Sequence, residues 1–350
     1  MAMKIVESWT GPGRNDADIR RTEVKDNAAH PSSNKYAFEH WYFDAHLDNG
    51  YIVVGFLQTR ELVLRKPGVE LHVYSPDGTR REIIVHYSPE EATASTTECN
   101  VKIGNNYAYV DHGTGDLPVH RVHLAEGDLE FDLTFTNEVP TWKPGGGYTS
   151  YGDEDFFAWV VAAPKASVTG TVRIGSETFE AKGRGYADHN WGIGDMKRLI
   201  DRWYWGRLYV DDFTLVYANV LTQKKYGRHE SRPLMLARGD EVVLSTGDTT
   251  LTEGPAVFDE VGNRTYPSWI RLQVPGSVDL RLTVQRVIHA HDYLADVPLA
   301  GSAILKPVLN RLLGRPGYFR FSSTFDLTVT REGRAHHSTG TTLHEMVALK

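Results

Sequence analysis

The amino-acid sequence predicts an all-β protein made of two copies of one antiparallel barrel unit. Most of the chain alternates apolar and polar residues over short runs separated by turn residues, which is typical of half-buried strands. Patterns with a helical period are scarce, and several segments of the first half return in the same order in the second half. Together these observations favour tandem β-barrels.

Four segments show the strand pattern most clearly: residues 50–59, 127–138, 166–183 and 211–223. The triplets that start at Asp48 and Pro76, Asp-Asn-Gly and Pro-Asp-Gly, favour tight turns between antiparallel strands. Helices are expected only at residues 195–202 and 303–313, and Pro307 interrupts the second. We therefore expect few helices, and short ones.

Three pairs of similar segments define the internal repeat. Residues 40–59 resemble 202–223 with Trp41 matched to Trp203, residues 130–138 resemble 324–332, and residues 183–188 resemble 340–345. Each copy is about 150 residues long, enough for a barrel of about eight strands that holds one small ligand. The repeat predicts an N-terminal domain over residues 1–185 and a C-terminal domain over residues 186–350.

Composition narrows the class of protein. The 350-residue chain has a formal net charge of −7 and no run of basic residues, so nucleic acid is not an expected partner. Its apolar stretches, such as residues 156–164, are too short to span a bilayer, and the N-terminal residues lack a signal-peptide pattern. Cys99 is the single cysteine, which fits a reducing compartment. A cytoplasmic enzyme or binding protein is the expectation.

The decamer GRGYADHNWG, which begins at Gly183, concentrates groups that can transfer protons. In a strand, successive side chains point to opposite faces. Asp188 and Asn190 would then share one face, and His189 and Trp191 the other. The strand pattern further along the chain places two polar groups, Tyr217 and Asn219, on a face of large apolar residues that includes Phe213. Because buried polar groups need partners, this second face is typical of a lined pocket.

The decamer, together with the aromatic runs that start at Trp41 and Trp203, resembles the carotenoid 1,2-hydratase (hydroxyneurosporene synthase) family. That family includes kievitone-hydratase-like enzymes and Diels–Alderase relatives, and the resemblance extends from about Tyr36 to Glu345. It implies two lipocalin-like (calycin) barrels packed side by side. It also implies apolar polyene, isoprenoid or polyketide substrates, with water or carbon added across double bonds without a redox cofactor or metal.

The resemblance implies catalytic roles for His189 and Trp191 and for a Tyr-x-Asp pair later in the chain. Tyr217 and Asn219 occupy that later place here, with an amide instead of the acid. Because asparagine cannot act as a general acid, protonation of carbon would need Asp188 or another acid. The alternative is a reaction that needs no carbon protonation.

The leading hypothesis is therefore a cofactor-free cyclase of the Diels–Alderase type, in which His189, Tyr217 and Asn219 polarise the substrate inside a dry chamber. A hydratase in which Asp188 and His189 share proton transfer is the second hypothesis, and a non-catalytic lipocalin-like carrier of hydrophobic molecules is the third. The chamber is expected to receive the side chains of His189 and Trp191. The oligomeric state is left open.

Aromatic residues are the predicted contacts for the hydrophobic substrate, through stacking or stabilisation of a cation. The candidates are Trp41, Phe43, Tyr186, Trp191, Trp203, Trp205 and Phe213. Three polar residues that alternate on one strand, Tyr42, Asp44 and His46, are expected to face solvent.

Two groups of histidines have residue types that could bind a metal ion. The run from His289 to Asp292 and the pair at residues 336–337 lack a third ligand at recognisable spacing, so no metal site is predicted. The glycine-rich residues 144–148 lack the lysine and the context of a phosphate loop, which favours a flexible connection or a lid.

Overall fold

The computed structural model describes residues 4–7, 9, 22–62, 64–112, 115–295 and 314–350. Within them, thirteen strands form a first antiparallel sheet in the order β5-β4-β3-β2-β13-β12-β10-β9-β8-β7-β6, with β11 beside β12 and β1 beside β11. Its strands are β1 (Ile5–Val6), β2 (Ala37–Leu47), β3 (Ile52–Arg60), β4 (Gly68–Tyr74), β5 (Arg80–His86), β6 (Ala92–Ala94), β7 (Asn100–Ile103), β8 (Asn106–Asp111), β9 (Val119–Glu126), β10 (Leu129–Asn137), β11 (Tyr148–Tyr151), β12 (Asp155–Ile174) and β13 (Glu177–Ile193).

Ten strands of the second half form another antiparallel sheet in the order β18-β17-β15-β14-β25-β24-β23-β22-β19, with β16 beside β15. Strands β20 and β21 form a separate hairpin. The strands are β14 (Ile200–Val210), β15 (Phe213–Thr222), β16 (Glu230–Ser231), β17 (Leu234–Arg238), β18 (Glu241–Thr246), β19 (Thr250–Glu253), β20 (Ala256–Asp259), β21 (Arg264–Pro267), β22 (Trp269–Val274), β23 (Val278–Asp292), β24 (Gly317–Arg331) and β25 (Arg334–Ala348).

Helix is scarce, as the sequence predicts. The predicted helix at 195–202 is one short turn, α1 (Met196–Leu199), after which β14 begins at Ile200. The 3-10 turns are Val24–Asn27, Pro89–Glu91 and Lys224–Tyr226. The predicted helix at 303–313 lies outside the described residues. None of the helices in the described ranges has the length and apolar character needed to cross a membrane.

The two sheets share one strand order, which agrees with the internal repeat. In the first sheet β2 lies between β3 and the last strand, β13; in the second, β14 lies between β15 and the last strand, β25. Trp41 and Trp203 accordingly lie on equivalent strands of the two sheets, β2 and β14. Strand β13 continues through the predicted domain boundary at 185/186, and the change between sheets comes after Ile193.

Tight turns join the predicted hairpins. Gly50 between β2 and β3 has φ of 88°, and Gly78 between β4 and β5 has φ of 90°. These left-handed conformations favour glycine because a side chain would be strained there.

Four apolar clusters account for the packing of the described residues, and the smallest lies around Phe38 and Leu199 beside α1. One fills the first sheet around residues such as Trp41, Phe43 and Phe135, and a second fills the second sheet around Phe213 and Phe321. The third draws on both sheets and lies between them; its members include Tyr42, Trp142, Trp159, Tyr186, Val216 and Met235. The curled sheets therefore each have a core of their own and pack against each other through their outer faces.

The expectation that Tyr42, Asp44 and His46 face solvent is wrong. Asp44 is 3% exposed and forms an ion pair with Arg207 of the second sheet, and the Tyr42 hydroxyl donates to Asp44 at 2.7 Å. Burial and the nearby Arg207 lower the pKa of His46 to about 4. The face of β2 that was expected to contact solvent is instead covered by the other sheet.

The ion pair between Asp44 and Arg207 yields a stability prediction. Replacing only Arg207 by Met leaves a carboxylate buried without its cation, which costs about 3–5 kcal/mol in the free energy of unfolding. The double variant Asp44→Asn/Arg207→Met should recover much of that loss. Urea denaturation measures both, with Arg121→Met as the control, because its pair with Asp111 is exposed and worth about 1 kcal/mol or less. Equal losses at the two sites would contradict this account.

Candidate functional site between the two sheets

A cavity of about 370 Å³ lies where the two sheets meet. Side chains of both sheets line it, and much of the wall is aromatic. The large rings include Phe38, Phe56, Phe157, Trp159, Trp203 and Trp205. Pro144 and Gly147 of the glycine-rich segment also border it. The barrel interiors, in contrast, are filled by their own apolar clusters. Among the described residues, the space large enough for a small molecule therefore lies between the barrels.

The decamer runs along this cavity as part of β13, and its strand geometry decides which side chains enter. Asp188 and Asn190 line the cavity. His189 and Trp191 point to the opposite face, where His189 stacks on Trp41 with ring centroids 4.1 Å apart. The expectation that His189 and Trp191 project into the chamber is thus corrected, because alternation along the strand sends their neighbours there instead.

The glycines of the decamer allow neighbouring strands to approach closely. A Cβ atom on Gly183 would lie 2.2 Å from the carbonyl oxygen of His46. A Cβ atom on Gly192 would lie 2.3 Å from the carbonyl oxygen of Phe156. Any larger residue at either position would push β13 away from β2 or β12 and shift the side chains between them.

Asp188 is a buried carboxyl group with neutral hydrogen-bond donors. Its Oδ2 accepts from the Tyr186 hydroxyl at 2.8 Å and from the Trp159 indole at 3.1 Å. Its Oδ1 accepts from the Asn190 amide at 2.8 Å. Burial outweighs the hydrogen bonds from Tyr186 and Trp159 and raises the pKa of Asp188 to about 7. This carboxyl group therefore exchanges its proton near neutral pH.

A second acid, Glu345, lines the same cavity from β25 of the other sheet. It forms an ion pair with Arg320, whose Nη2 lies 2.6 Å from Oε1, and it accepts from the Tyr318 hydroxyl at 2.7 Å. No motif in the sequence indicated Glu345 as a site residue. The signal was present, however, since the repeat matches the segment ending at Glu345 to the one ending at Asp188.

Some of the other residues predicted to contact the substrate line the cavity, and the rest belong to the apolar cores. Trp203 and Trp205 line the cavity, and Tyr186 lies beneath Asp188 as its hydrogen-bond donor. Trp41 and Phe43 belong to the core of the first sheet. Trp191 stacks on His30 on the barrel side of β13, and Phe213 belongs to the core of the second sheet.

The structure places Tyr217 and Asn219 away from the cavity. Tyr217 is buried in the core of the second sheet, and the amide of Asn219 donates to Glu230 at 3.2 Å. Their neighbours Ala218 and Val220 line the cavity instead. Both faces of β15 are apolar, so the sequence pattern could not distinguish the face in the barrel from the face on the cavity.

His40 and Trp159 are cavity residues that the sequence analysis missed. His40 lines the wall next to Phe56, and burial, followed by the charge of nearby His189, lowers its pKa to about 4. It is therefore a neutral imidazole at neutral pH. No motif marked Trp159, which lies in the long apolar run of β12.

The histidines of the two groups considered as metal ligands have other partners. His289 lies 2.7 Å from a guanidinium nitrogen of Arg80, and His337 bonds Asp326 at 3.0 Å. Among the described residues, a different group brings ligand atoms together: His30, Glu39 and His189, all within 4.8 Å of one another. Burial opposes ionisation of Glu39, but hydrogen bonds from His189 and His30 outweigh it and lower its pKa to about 2.

Two relatives match by sequence over parts of their length. Hydroxyneurosporene dehydrogenase of Chlorobaculum tepidum is 43% identical over 65 residues, 17% of this chain and 17% of that protein. The quinolone epoxide rearrangement protein penF of Penicillium thymicola is 24% identical over 228 residues, 59% of this chain and 62% of that protein. The matches thus span less than two thirds of either relative.

Solved structures share the fold over nearly the whole chain. Kievitone hydratase from Nectria haematococca has a TM-score of 0.60 at 15% identity, covering 98% of this chain and 97% of that one. CghA with Sch210972 has a TM-score of 0.62 at 12% identity, covering 100% and 99%. The resemblance to the hydratase family is therefore confirmed at the level of fold. Residues 78–298 match the sequence model of the AttH-like family, and the chain belongs to that family.

Proposed function

We propose that this chain is an enzyme that protonates an unsaturated, largely apolar small molecule, with addition of water across a carbon–carbon double bond as its reaction. The observation that carries this proposal is Asp188, a carboxyl group with a pKa raised to about 7 in the wall of an aromatic cavity. A general acid works best when its pKa lies near the operating pH. Burial supplies that pKa here.

The proposed step begins with transfer of the Asp188 proton to one carbon of the double bond. The other carbon becomes cationic, and the faces of Trp203 and Trp205 stabilise it through their π electrons. Water then forms the new carbon–oxygen bond and loses a proton, which returns to the Asp188 carboxylate. Glu345 is on the cavity side of its ion pair with Arg320, and the dipole of that pair favours the cationic intermediate.

A cyclisation is the second candidate. The aromatic wall can hold a folded substrate, and in a proton-dependent cyclisation a group of the substrate captures the cation instead of water. A pericyclic cyclisation, the leading hypothesis from sequence, would use the same cavity without the Asp188 proton. The names of the relatives, a hydratase and a rearrangement protein, support small-molecule chemistry of both kinds. A carrier would bind its ligand and return it unchanged.

Titration of Asp188 is the first test and needs no substrate. In ¹³C NMR of labelled aspartate, one carboxyl resonance should move with a midpoint near pH 7, and it should be missing from Asp188→Asn. A midpoint below about 5, close to that of an ordinary aspartate, would remove the basis of the proposal.

Kinetics of two variants form the second test, with kievitone for water addition and hydroxyneurosporene for loss of water as probes. Asp188→Asn should lower kcat/KM by about 10²–10⁴-fold, because it removes the proton donor. Asn219→Ala is the matched control and should retain activity, since that amide lies outside the cavity. In H₂¹⁸O the hydrated product should carry the label. An active Asp188→Asn variant, or an unlabelled product of unchanged mass, would favour pericyclic cyclisation instead.

The pH profile gives a third test with a defined sign. Only protonated Asp188 is active as an acid, so the rate should fall as pH rises through about 7. The Tyr186 hydrogen bond stabilises the carboxylate and lowers that pKa. Tyr186→Phe should therefore move the fall in rate to higher pH, by about 0.5–1 unit. A shift to lower pH, or none, would show that another group controls the profile.

A further inference from the structure

We propose that His30, Glu39 and His189 bind one divalent transition-metal ion of the zinc class. Each residue offers one ligand atom, and the three atoms lie within 4.8 Å of one another. The cluster is on the barrel side of β2 and β13, whereas Asp188 and Asn190 face the cavity from the other side of β13. The metal would thus lie behind the cavity wall, and its binding does not depend on the proposed reaction.

The distances suit direct coordination. Oε1 of Glu39 lies 3.2 Å from Nε2 of His189 and 3.5 Å from Nδ1 of His30. Zinc binds imidazole nitrogen and carboxylate oxygen at about 2.0–2.2 Å, so neighbouring ligand atoms in a tetrahedral site are about 3.4 Å apart. An ion can therefore sit between these atoms once the two imidazole nitrogens, which lie within 4.8 Å of each other, move close enough to share it.

Hydrogen bonding within the cluster does not account for all of its polar atoms. Nδ1 of His30 is buried and forms no hydrogen bond of good geometry, although Oε1 of Glu39 lies 3.5 Å from it. A buried nitrogen without a partner is costly, and a metal ion would remove that cost. The carboxylate of Glu39 is already oriented, because the backbone N–H of His30 donates to Oε1 at 2.6 Å and the Thr59 hydroxyl donates to Oε2 at 3.0 Å. Such supporting hydrogen bonds are typical of metal ligands.

Aromatic stacking fixes both imidazoles. His30 stacks on Trp191 with ring centroids 3.8 Å apart and an interplanar angle of 2°, and His189 stacks on Trp41. His30 is half-buried whereas Glu39 and His189 are buried, so an ion would reach the cluster from the His30 side. Two imidazoles and one carboxylate favour zinc and its neighbours over magnesium or calcium, which prefer oxygen ligands.

Metal titration of the full chain tests this inference. After dialysis against EDTA, isothermal titration with zinc chloride should show one ion per chain, and cobalt(II) should give visible absorption bands at the same stoichiometry. His30→Ala should weaken zinc binding at least tenfold, and Glu39→Gln should do the same. His30 is the safer variant, because its half-buried position tolerates truncation without loss of the fold, which circular dichroism checks.

Two controls sharpen the outcome. His337→Ala removes an exposed histidine paired with Asp326 and should leave zinc binding unchanged. Asp188→Asn should also retain zinc binding, so failure of the proposed reaction and failure of this inference are separable. Absence of one-to-one binding up to about 100 µM zinc, or a His30→Ala variant that binds as tightly as the unmodified chain, would overturn the inference.

Discussion

Alternation of side chains along a strand is the constraint on which the site depends. Strands β2 and β13 of the first sheet and β14, β15 and β25 of the second each have one face in their own barrel and the other toward the neighbouring sheet. The barrel faces are filled with apolar side chains, so the remaining space lies between the sheets. A shift by one residue in any of these strands would exchange core and cavity residues along its whole length.

Charged groups at the contact between the sheets follow the rule that buried charges are paired. Asp44 is paired with Arg207, and Glu345 with Arg320. Asp188 is the exception, since the hydrogen bonds it accepts come from a phenol, an indole and an amide. Neutral donors stabilise a carboxylate less than an adjacent guanidinium does, so burial dominates its pKa. A buried carboxyl group whose pKa is raised in this way is typical of a functional site.

Much of the fold followed from sequence, because turns and alternating apolar residues are local signals. The triplets ending at Gly50 and Gly78 and the repeat that matches Trp41 to Trp203 are examples. Less of the site could be predicted from the sequence. Strands such as β15 are apolar on both faces, so the pattern does not show which face borders the cavity. The alternation of polar residues around Asp44 predicted that this face contacts solvent. Its partner Arg207 belongs to the other sheet, and a contact between distant segments leaves no signal in the local sequence.

The duplicated architecture accounts for why the two acids of the cavity differ. Asp188 and Glu345 occupy matched places on the last strand of each sheet. Beside Glu345, the regular pairing of β24 with β25 puts Arg320 directly opposite. Beside Asp188, the pairing of β12 with β13 shifts register between Val160 and Ala163, and an indole rather than a cation reaches the carboxyl group. The neighbouring strand thus supplies a guanidinium to Glu345 but an indole to Asp188, and such a difference in environment between two carboxyl groups is what acid–base chemistry requires.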